Sequence, residues 1–314
     1  MKSTRSSAIA SGPAIPDGKH TTDLRALLLQ SLDDRWQTYR AMLKRCQKKC
    51  SEAAVHDLRV ATRRLMSTLG ILQTLKFDGR LRQARRRLKK QLERFGPLRD
   101  VQVQMLAVEE RLPSFPELQG LYDQLVKREQ KLVERLRAQV KGVKTRKVAK
   151  ALRATAKQLQ ATSALQQGQR AAAIHAVEVA FDTVVERRRA IEAADTATIH
   201  RMRVAFKKFR YMVEALAPVL EHVTAKRLKA MNTFQDSMGR IQDIETLLAN
   251  VQAFWHKQQT PEAARSRAYQ ELIRGRASLI EAFLNLADTL FTFWKPVPEA
   301  FTAEKRSIES DAGR

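Results

Sequence analysis

The sequence is poor in residues that interrupt or cross-link a chain. Only 11 glycines and 9 prolines occur among 314 residues, and such scarcity is typical of proteins built from long helices. The two cysteines, Cys46 and Cys50, are too few for a disulfide framework and lack the second pair that would complete a metal site. We therefore expect a reduced, cytoplasmic protein that holds no metal and no other cofactor.

Long apolar segments and aromatic side chains are also scarce. No run of about 18 apolar residues is present, so no transmembrane helix is predicted. The first 19 residues lack the apolar core of a signal peptide. Aromatic residues make up only 6% of the chain, and no P-loop or glycine-rich phosphate cradle occurs. These absences disfavour insertion into a membrane, nucleotide chemistry and the stacking of nucleic-acid bases.

Acidic residues are few compared with basic ones. Lys and Arg number 58 and Asp and Glu number 33, which gives a formal net charge of +25. A compact fold with that charge repels itself. Such an excess indicates an anionic working partner, which would be a nucleic acid, a phosphate polymer or an acidic membrane.

Apolar residues recur at spacings of three and four along most of the chain, which predicts an all-α fold. We expect Thr21 or Thr22 to cap a first helix that continues through Leu43. Further helices are predicted over residues 51–77, 80–95, 98–111, 117–140, 144–160, 170–193, 198–216, 224–238, 240–259 and 262–293. The domain prediction is a disordered tail over 1–20, helical bundles over 21–165 and 166–295, and a C-terminal tail over 296–314.

The chain contains an internal repeat. The segment VHDLRVATRR at 55–64 recurs as IHRMRVAFKK at 199–208, and FGPLRD at 95–100 recurs as MGRIQD at 238–243. The offsets are 144 and 143 residues, and such agreement indicates two homologous halves. We predict two antiparallel helical bundles, related by a pseudo-twofold axis around a basic central cleft or pore, with His56 and His200 in equivalent places.

The repeated segment has the pattern of a polyanion site. Helix positions 0, 3, 7 and 10 lie within about 80° of one another and form a single stripe. Guanidinium groups match phosphate oxygens bidentately, and lysine adds point charge. One stripe consists of His200, Arg203, Lys207 and Arg210, the other of His56, Arg59, Arg63 and Met66, and Arg64 and Lys208 flank them. We hypothesise that both stripes face a common space.

The third predicted helix adds further cations, namely Arg82, Arg85, Arg86 and Lys89. Arg85 falls within the apolar arc of that helix. Because an unpaired buried charge costs several kcal/mol, an Arg that points inward is expected to have an anionic partner.

At these residues the sequence resembles the conserved-histidine α-helical domain family, CHAD. The motifs are His-x-x-Arg-Val-x-x-Arg-Arg at 56–64, Gly-x-x-Arg-Asp at 96–100, His-x-x-Arg-x-x-x-Lys-x-x-Arg-Tyr at 200–211 and Gly-x-x-Gln-Asp at 239–243. The resemblance spans about residues 22–292. It implies two four-helix bundles around a basic channel, binding of inorganic polyphosphate without catalysis, and association with polyphosphate or storage granules.

The resulting polyphosphate site is predicted to comprise His56, Arg59, Arg63, Arg64, Arg82, Arg85, Arg86, Lys89, Arg99, His200, Arg203, Lys207, Lys208, Arg210, Tyr211 and Lys229. Two positions depart from the family pattern: Met66 stands where an Arg is usual, and Gln102 where an acidic residue is frequent. Asp100 and Asp243 are interpreted as helix caps or as anchors for the arginines.

Two other functions remain open. A nucleic-acid binder is equally compatible with the charge, since counterion release drives any basic groove onto a phosphate chain. A metal-dependent phosphohydrolase is less favoured, because the pair His56-Asp57 is not repeated: Arg201 follows His200. That chemistry also requires further His and Asp ligands.

Overall fold

The computed structural model describes residues 23–75, 80–161, 167–220, 222–258 and 262–294. The predicted tails at 1–20 and 296–314, and the predicted break at Asp78-Gly79, lie outside these ranges. Within the described residues the chain forms ten α-helices and no β-strand, so the all-α prediction is confirmed. The helices are α1 Leu24–Lys48, α2 Glu52–Thr74, α3 Arg80–Arg94, α4 Gly96–Glu109, α5 Gln119–Lys141, α6 Arg146–Ala161, α7 Gln167–Arg189, α8 Thr196–Leu216, α9 Ala225–Gln258 and α10 Glu262–Leu286.

Short polar side chains set the starts of the helices that matter most for the site. Ser51 accepts a hydrogen bond from the Ala54 N–H at the start of α2, and Asp195 does the same for the Ala197 N–H at the start of α8. Each satisfies a donor that the helix leaves unpaired. The cap predicted for α1 at Thr21 or Thr22 is wrong, because Asp23 accepts from the Arg25 N–H and the helix begins at Leu24.

The repeat is not uniform in its helix boundaries. Two helices are predicted over 224–238 and 240–259, yet α9 continues through Gly239 as one helix of 34 residues. In the first half α3 ends at Arg94 and α4 begins at Gly96. Pro97 explains the difference, since it lacks an N–H and its ring clashes with the preceding turn, whereas Arg240 at the matching position keeps its N–H.

Two other predicted helix ends pass into 3₁₀ geometry. Residues Pro116–Leu118 form a 3₁₀ turn before α5, and Ala287–Thr292 form another after α10, where a continuous α-helix to residue 293 is predicted. Such tightened turns are common at helix ends.

The core consists of two apolar clusters. The larger one contains buried residues of α1, α2 and α3 together with α7, α8 and the first part of α9, and Leu58, Leu65, Phe206 and Phe209 are among its fully enclosed side chains. The smaller one joins α4, the first part of α5, the second part of α9 and α10. Both clusters therefore combine helices from the two repeats, and the pseudo-twofold relation of two bundles stays a prediction.

Neighbouring helices place the two repeated segments side by side. Helix α2 packs against α1, α3 and α8, and α8 packs against α7 and α9. Helix α4 also packs against α9. Among the described helices, none is both long enough and apolar enough to cross a bilayer.

Candidate functional site

The contact between α2 and α8 brings cations of both repeats together. Buried Leu58 and Leu65 on α2, and Met202 and Phe206 on α8, fix the apolar faces of the two helices in the core. The basic stripes consequently fall beside the helix contact, where their side chains are half-buried. We call Arg59 and Arg63 of α2 and Arg203 and Lys207 of α8 the α2–α8 cluster; all four are half-buried.

Lys207 experiences the strongest positive surroundings. Burial first, and then the guanidinium groups of Arg63, Arg203, Arg59 and Arg210, together lower the pKa of Lys207 to about 7. Burial likewise lowers the pKa of Arg59 to about 10, with Arg63 as the next cause. These four arginines come from both repeats, so the structure brings the two basic stripes into one electrostatic group.

Carboxylates lie near this group without pairing with it. Among the described ion pairs, none involves Arg59, Arg63, Arg203 or Lys207. Asp100 attracts Arg59, and Asp243, at the matching place in the repeat, attracts Arg203. Burial lowers the pKa of Arg203, and the attraction of Asp243 offsets only part of that shift.

The interpretation of Asp100 and Asp243 as helix caps is wrong. Helix α4 begins at Gly96 with no side-chain cap, and Asp243 lies in the middle of α9. Partial burial raises the pKa of Asp243 while the charge of Arg203 lowers it. The two carboxylates therefore act by electrostatic attraction on the arginines, which is the second of the two predicted roles.

Close backbone approach positions two arginines. A Cβ added at Gly239 would lie 3.4 Å from Nη2 of Arg203, so the guanidinium rests against α9 where a side chain is missing. The Arg59 Nη1 donates a hydrogen bond of 3.4 Å to the carbonyl of Leu92 at the end of α3. The glycine of the repeated Gly-x-x-x-Asp element thus has a packing role in the second half.

Among the predicted phosphate ligands on α2, α4 and α8, three are paired internally. The carboxylate of Glu214 accepts ion pairs from Arg64 at 2.8 Å and from Arg210 at 3.6 Å, and its Oε1 lies 3.4 Å from Nη1 of Arg35. Arg99 pairs with Glu52 at 2.6 Å. Glu214 was not predicted as a site residue, although its spacing of four from Arg210 is the helix signal for such a pair.

The ring of Tyr211 is in contact with the guanidinium of Arg210. The Arg210 guanidinium lies 4.4 Å from the centroid of the Tyr211 ring and donates a 3.0 Å hydrogen bond to Gln235. Arg210 is thereby held by a ring, an amide and the carboxylate of Glu214, and its charge is one of those that lower the pKa of Lys207.

The two repeated histidines are exposed and lie in the first turns of α2 and α8. Partial burial lowers the pKa of His56, and the charges of Arg99, Arg59 and Arg63 lower it further against the opposing effect of Asp57. Asp57 forms an ion pair of 2.6 Å with Arg45. Asp57 therefore has Arg45 as its ion-pair partner, and its charge also acts to raise the pKa of His56.

The remaining predicted residues lie away from the α2–α8 cluster or point outward. Arg82, Arg86 and Lys89 are exposed on α3, and Lys208 and Lys229 are exposed on α8 and α9. Arg85 is half-buried, but its Nη1 meets the amide oxygen of Gln73 at 3.4 Å and its guanidinium rests near Gly70. Among the described residues its Nε is buried without a hydrogen-bond partner, so the expectation of an anionic partner for Arg85 stays a prediction.

Comparisons with known proteins agree on one fold. A model of the CHAD domain matches residues 27–252. The crystal structure of the CHAD domain from the plant Ricinus communis is similar, with 18% identity and a TM-score of 0.65 over 87% of this chain and 95% of that chain. PptA from Streptomyces chartreusis is similar with 16% identity and a TM-score of 0.61, over 85% and 99% of the two chains. No curated protein gives a match. At these identities the structural likeness concerns the fold alone.

Proposed function

The chain belongs to the CHAD domain family, and from this premise we propose that it binds inorganic polyphosphate, without catalysis, in the α2–α8 cluster. The observation that carries the proposal is the position of Lys207 among four arginines, where burial and like charge lower its pKa to about 7. A protein gains nothing in stability from such an arrangement, because each half-buried cation repels the others.

A bound phosphate chain would relieve that repulsion. Guanidinium forks at Arg59, Arg63 and Arg203 match phosphate oxygens bidentately, and the ammonium of Lys207 adds a compact charge. Nearby carboxylates attract Arg59 and Arg203, whereas the causes that act on the pKa of Lys207 include no carboxylate. A repeating anion supplies several negative charges at close spacing, which suits a group of cations that takes part in none of the described ion pairs.

Polyphosphate fits this cluster better than nucleic acid. Base recognition on a single strand depends on free aromatic platforms, and the aromatic ring beside the cluster, Tyr211, lies under Arg210. Polyphosphate has no bases and requires only cations along its path. Association with polyphosphate granules in the cytoplasm follows from the same proposal as the cellular consequence of binding.

The proposal is tested by titrating the purified chain with long polyphosphate. The double variant Arg203→Gln/Lys207→Gln is expected to lose at least tenfold in affinity, since two charge-assisted contacts of about 1 kcal/mol each are removed. The control is Lys127→Gln/Lys131→Gln, which removes two exposed charges from α5. Equal affinity of the two double variants would overturn the assignment of the site.

Two further measurements separate the competing functions. Long polyphosphate is expected to displace DNA or RNA at matched phosphate concentration, whereas displacement in the opposite direction would favour a nucleic-acid binder. Incubation with polyphosphate and divalent metal is expected to release no orthophosphate. Release that Asp57→Asn abolishes would instead identify a phosphohydrolase.

A further inference from the structure

A second cationic surface lies on the outer faces of α3 and α6. Helix α3 carries eight Lys or Arg and one acidic residue among 15, and α6 carries five basic residues and no acidic one among 16. Nearly all of these cations are exposed. We define the α3–α6 face by its exposed members Arg82, Arg86, Lys89, Lys90, Arg146, Lys150, Arg153 and Lys157.

Helices α3 and α6 are direct neighbours in the fold. Helix α3 packs directly against α6. Leu81 and Leu88 of α3, and Val148 and Leu152 of α6, are buried on the opposite sides of their helices. With the apolar residues turned into the core, the outer sides of both helices expose basic residues next to each other.

Internal neutralisation of this face is slight. The α3–α6 face contains one described ion pair, between Lys89 and Glu93 at 3.8 Å, and both of these side chains are more than 60% exposed. By contrast, exposed basic residues of α5 such as Lys127 and Lys131 alternate with Glu129 and Glu134. Exposed ion pairs contribute little, so the α3–α6 face retains almost its full positive charge.

Within the described residues, the second repeat has no equivalent of this surface. Residues 224–238, which correspond to α3, contain three basic residues and one acidic residue. A described helix that corresponds to α6 is also missing, since α10 passes into the 3₁₀ turn Ala287–Thr292. A charge excess present in one repeat alone is not explained by a channel that both repeats share.

The α3–α6 face is also separate from the α2–α8 cluster. Helix α3 packs on α2, α4 and α6, whereas the cluster lies where α2 meets α8. The charges that act most strongly on Lys207 are Arg63, Arg203, Arg59 and Arg210, and none belongs to α3 or α6. The face and the cluster therefore share no cation, although Arg59 of the cluster donates a hydrogen bond to the Leu92 carbonyl at the end of α3.

The chemistry of the face favours a phosphate chain over a bilayer. Within α3 and α6, both wholly described, no large apolar side chain is exposed. A helix that binds a membrane interface inserts an apolar face beside its basic one. No aromatic residue occurs on either helix for stacking of bases, so the face presents charge without a second recognition element.

We propose that the α3–α6 face is a second polyphosphate-binding surface, so that one molecule holds two polymer segments and links separate chains. This inference rests on the proposed function of the α2–α8 cluster and adds a second valency to it. On one long polymer, the second contact becomes intramolecular and raises the avidity by about 10² to 10⁴ without any new contact at the cluster. With separate polymers, the same geometry cross-links them.

A bridging assay tests the proposal with the full chain. Biotinylated polyphosphate is immobilised, protein is added, and retention of a second, fluorescent polyphosphate is measured. Wild type is expected to retain the fluorescent chain, and its titration with polyphosphate too short to reach both surfaces is expected to give two chains per protein. The variant Arg82→Gln/Arg86→Gln/Lys150→Gln/Arg153→Gln is expected to bind one short chain and to lose bridging.

Control variants separate failure of the inference from failure of the proposed function. The α5 variant Lys127→Gln/Arg128→Gln/Lys131→Gln/Arg135→Gln removes the same number of exposed charges and is expected to bridge like wild type. Bridging by the α3–α6 variant at the level of this control would overturn the inference. A dimer that bridges through two α2–α8 clusters would give that result. Failure of the proposed function has a different signature, in which Arg203→Gln/Lys207→Gln leaves both affinity and bridging unchanged.

Other anionic partners are distinguished in the same experiment. Duplex DNA and vesicles of anionic lipid are offered to wild type and to the α3–α6 variant. A wild type that binds one short polyphosphate, together with an α3–α6 variant that loses only DNA or only vesicle binding, would overturn the proposal and assign the face to that partner.

Discussion

We expect Lys207 to make the proposed polyphosphate binding sensitive to pH. Its pKa is lowered to about 7, first by burial and then by four arginines, so the side chain is charged below pH 7 and neutral well above it. We expect the affinity for polyphosphate to fall as pH rises from 6.5 to 8.5, and binding near pH 7.5 to take up protons. The measurement is calorimetric titration in buffers of different ionisation enthalpy.

The matched control for this prediction is Lys207→Arg, which keeps its charge throughout that range. His56 lies near the cluster, and its pKa is lowered, so His56→Gln reports the histidine contribution. Identical pH profiles of wild type and Lys207→Arg would show that Lys207 does not titrate in the site.

Gly239 has no side chain, and this leaves room for the guanidinium of Arg203. Alanine is favoured over glycine inside a helix by about 1 kcal/mol, but a Cβ here would lie in van der Waals contact with Arg203, 3.4 Å from its Nη2, and restrict the movement of the guanidinium towards a ligand. We expect Gly239→Ala to keep or raise the melting temperature while lowering polyphosphate affinity several-fold. Gly168→Ala, which meets nothing within 4 Å, serves as the control and should leave affinity unchanged. A parallel loss of stability and affinity in Gly239→Ala would contradict the positioning role.

Sequence spacing identified the cluster residues better than it identified their partners. The stripe of His200, Arg203, Lys207 and Arg210 follows from the helix period alone. Which of these cations has an internal counter-ion does not, because Glu214 draws Arg64 and Arg35 from other helices. Such a contact joins residues far apart in the chain and depends on how α1, α2 and α8 pack.

Among the elements, the repeat itself was predictable and its interruption was misjudged. Matching segments at a constant offset indicate matching helices, yet Gly239 suggested a break that only Pro97 produces in the first half. A glycine weakens a helix by about 1 kcal/mol, which packing offsets readily, whereas a proline costs about 3 kcal/mol. The packing of α3 was not predictable from its own sequence: its apolar face packs on α2 and α6, and Arg82 and Arg86 are exposed.

Three helices depend on the carboxylate of Glu214. It pairs with Arg35 of α1, Arg64 of α2 and Arg210 of α8, and its side chain is only 14% exposed. Glu214→Gln leaves three half-buried guanidinium groups without their anion, so we expect a loss of about 2 kcal/mol in the free energy of unfolding. Chemical denaturation measures the loss.

Bound polyphosphate is expected to restore much of this loss, because it supplies the missing negative charge near Arg210. The control is Glu52→Gln, whose carboxylate is 45% exposed in its pair with Arg99 and should cost less. A Glu214→Gln variant that is as stable as wild type without ligand would show that the network contributes nothing to the packing of these helices.

At the scale of the whole molecule, salt is expected to act oppositely on folding and on binding. A net charge of +25 repels itself in the compact state, so added salt should raise the melting temperature of the free protein. The logarithm of polyphosphate affinity should fall linearly with the logarithm of salt concentration, with a slope of about −0.7 per neutralised phosphate if the single-strand value applies. Thermal unfolding and affinity measured in one salt series check both directions, and a salt-independent affinity would contradict a site made of cations.

Lys207 is also expected to oppose folding while it favours binding, so the effect of Lys207→Gln on the free energy of unfolding should depend on pH. The pKa of lysine is about 10.4 in an unfolded chain and about 7 at Lys207 in the folded protein. Between these values the unfolded chain holds more protons, so the stability of wild type rises with pH in that window, and the full cost of charging Lys207 is present below pH 7. Removing the amine should therefore stabilise the protein by roughly 1 to 4 kcal/mol at pH 6 and low salt, and by progressively less towards pH 10. Below pH 7, where the lysine is charged, the same change should lower the affinity for polyphosphate. Denaturant unfolding at pH 6, 8 and 10 measures this dependence. A variant less stable than wild type at pH 6 would mean that the lysine supports the fold instead of being held, at a cost in stability, for an anionic ligand.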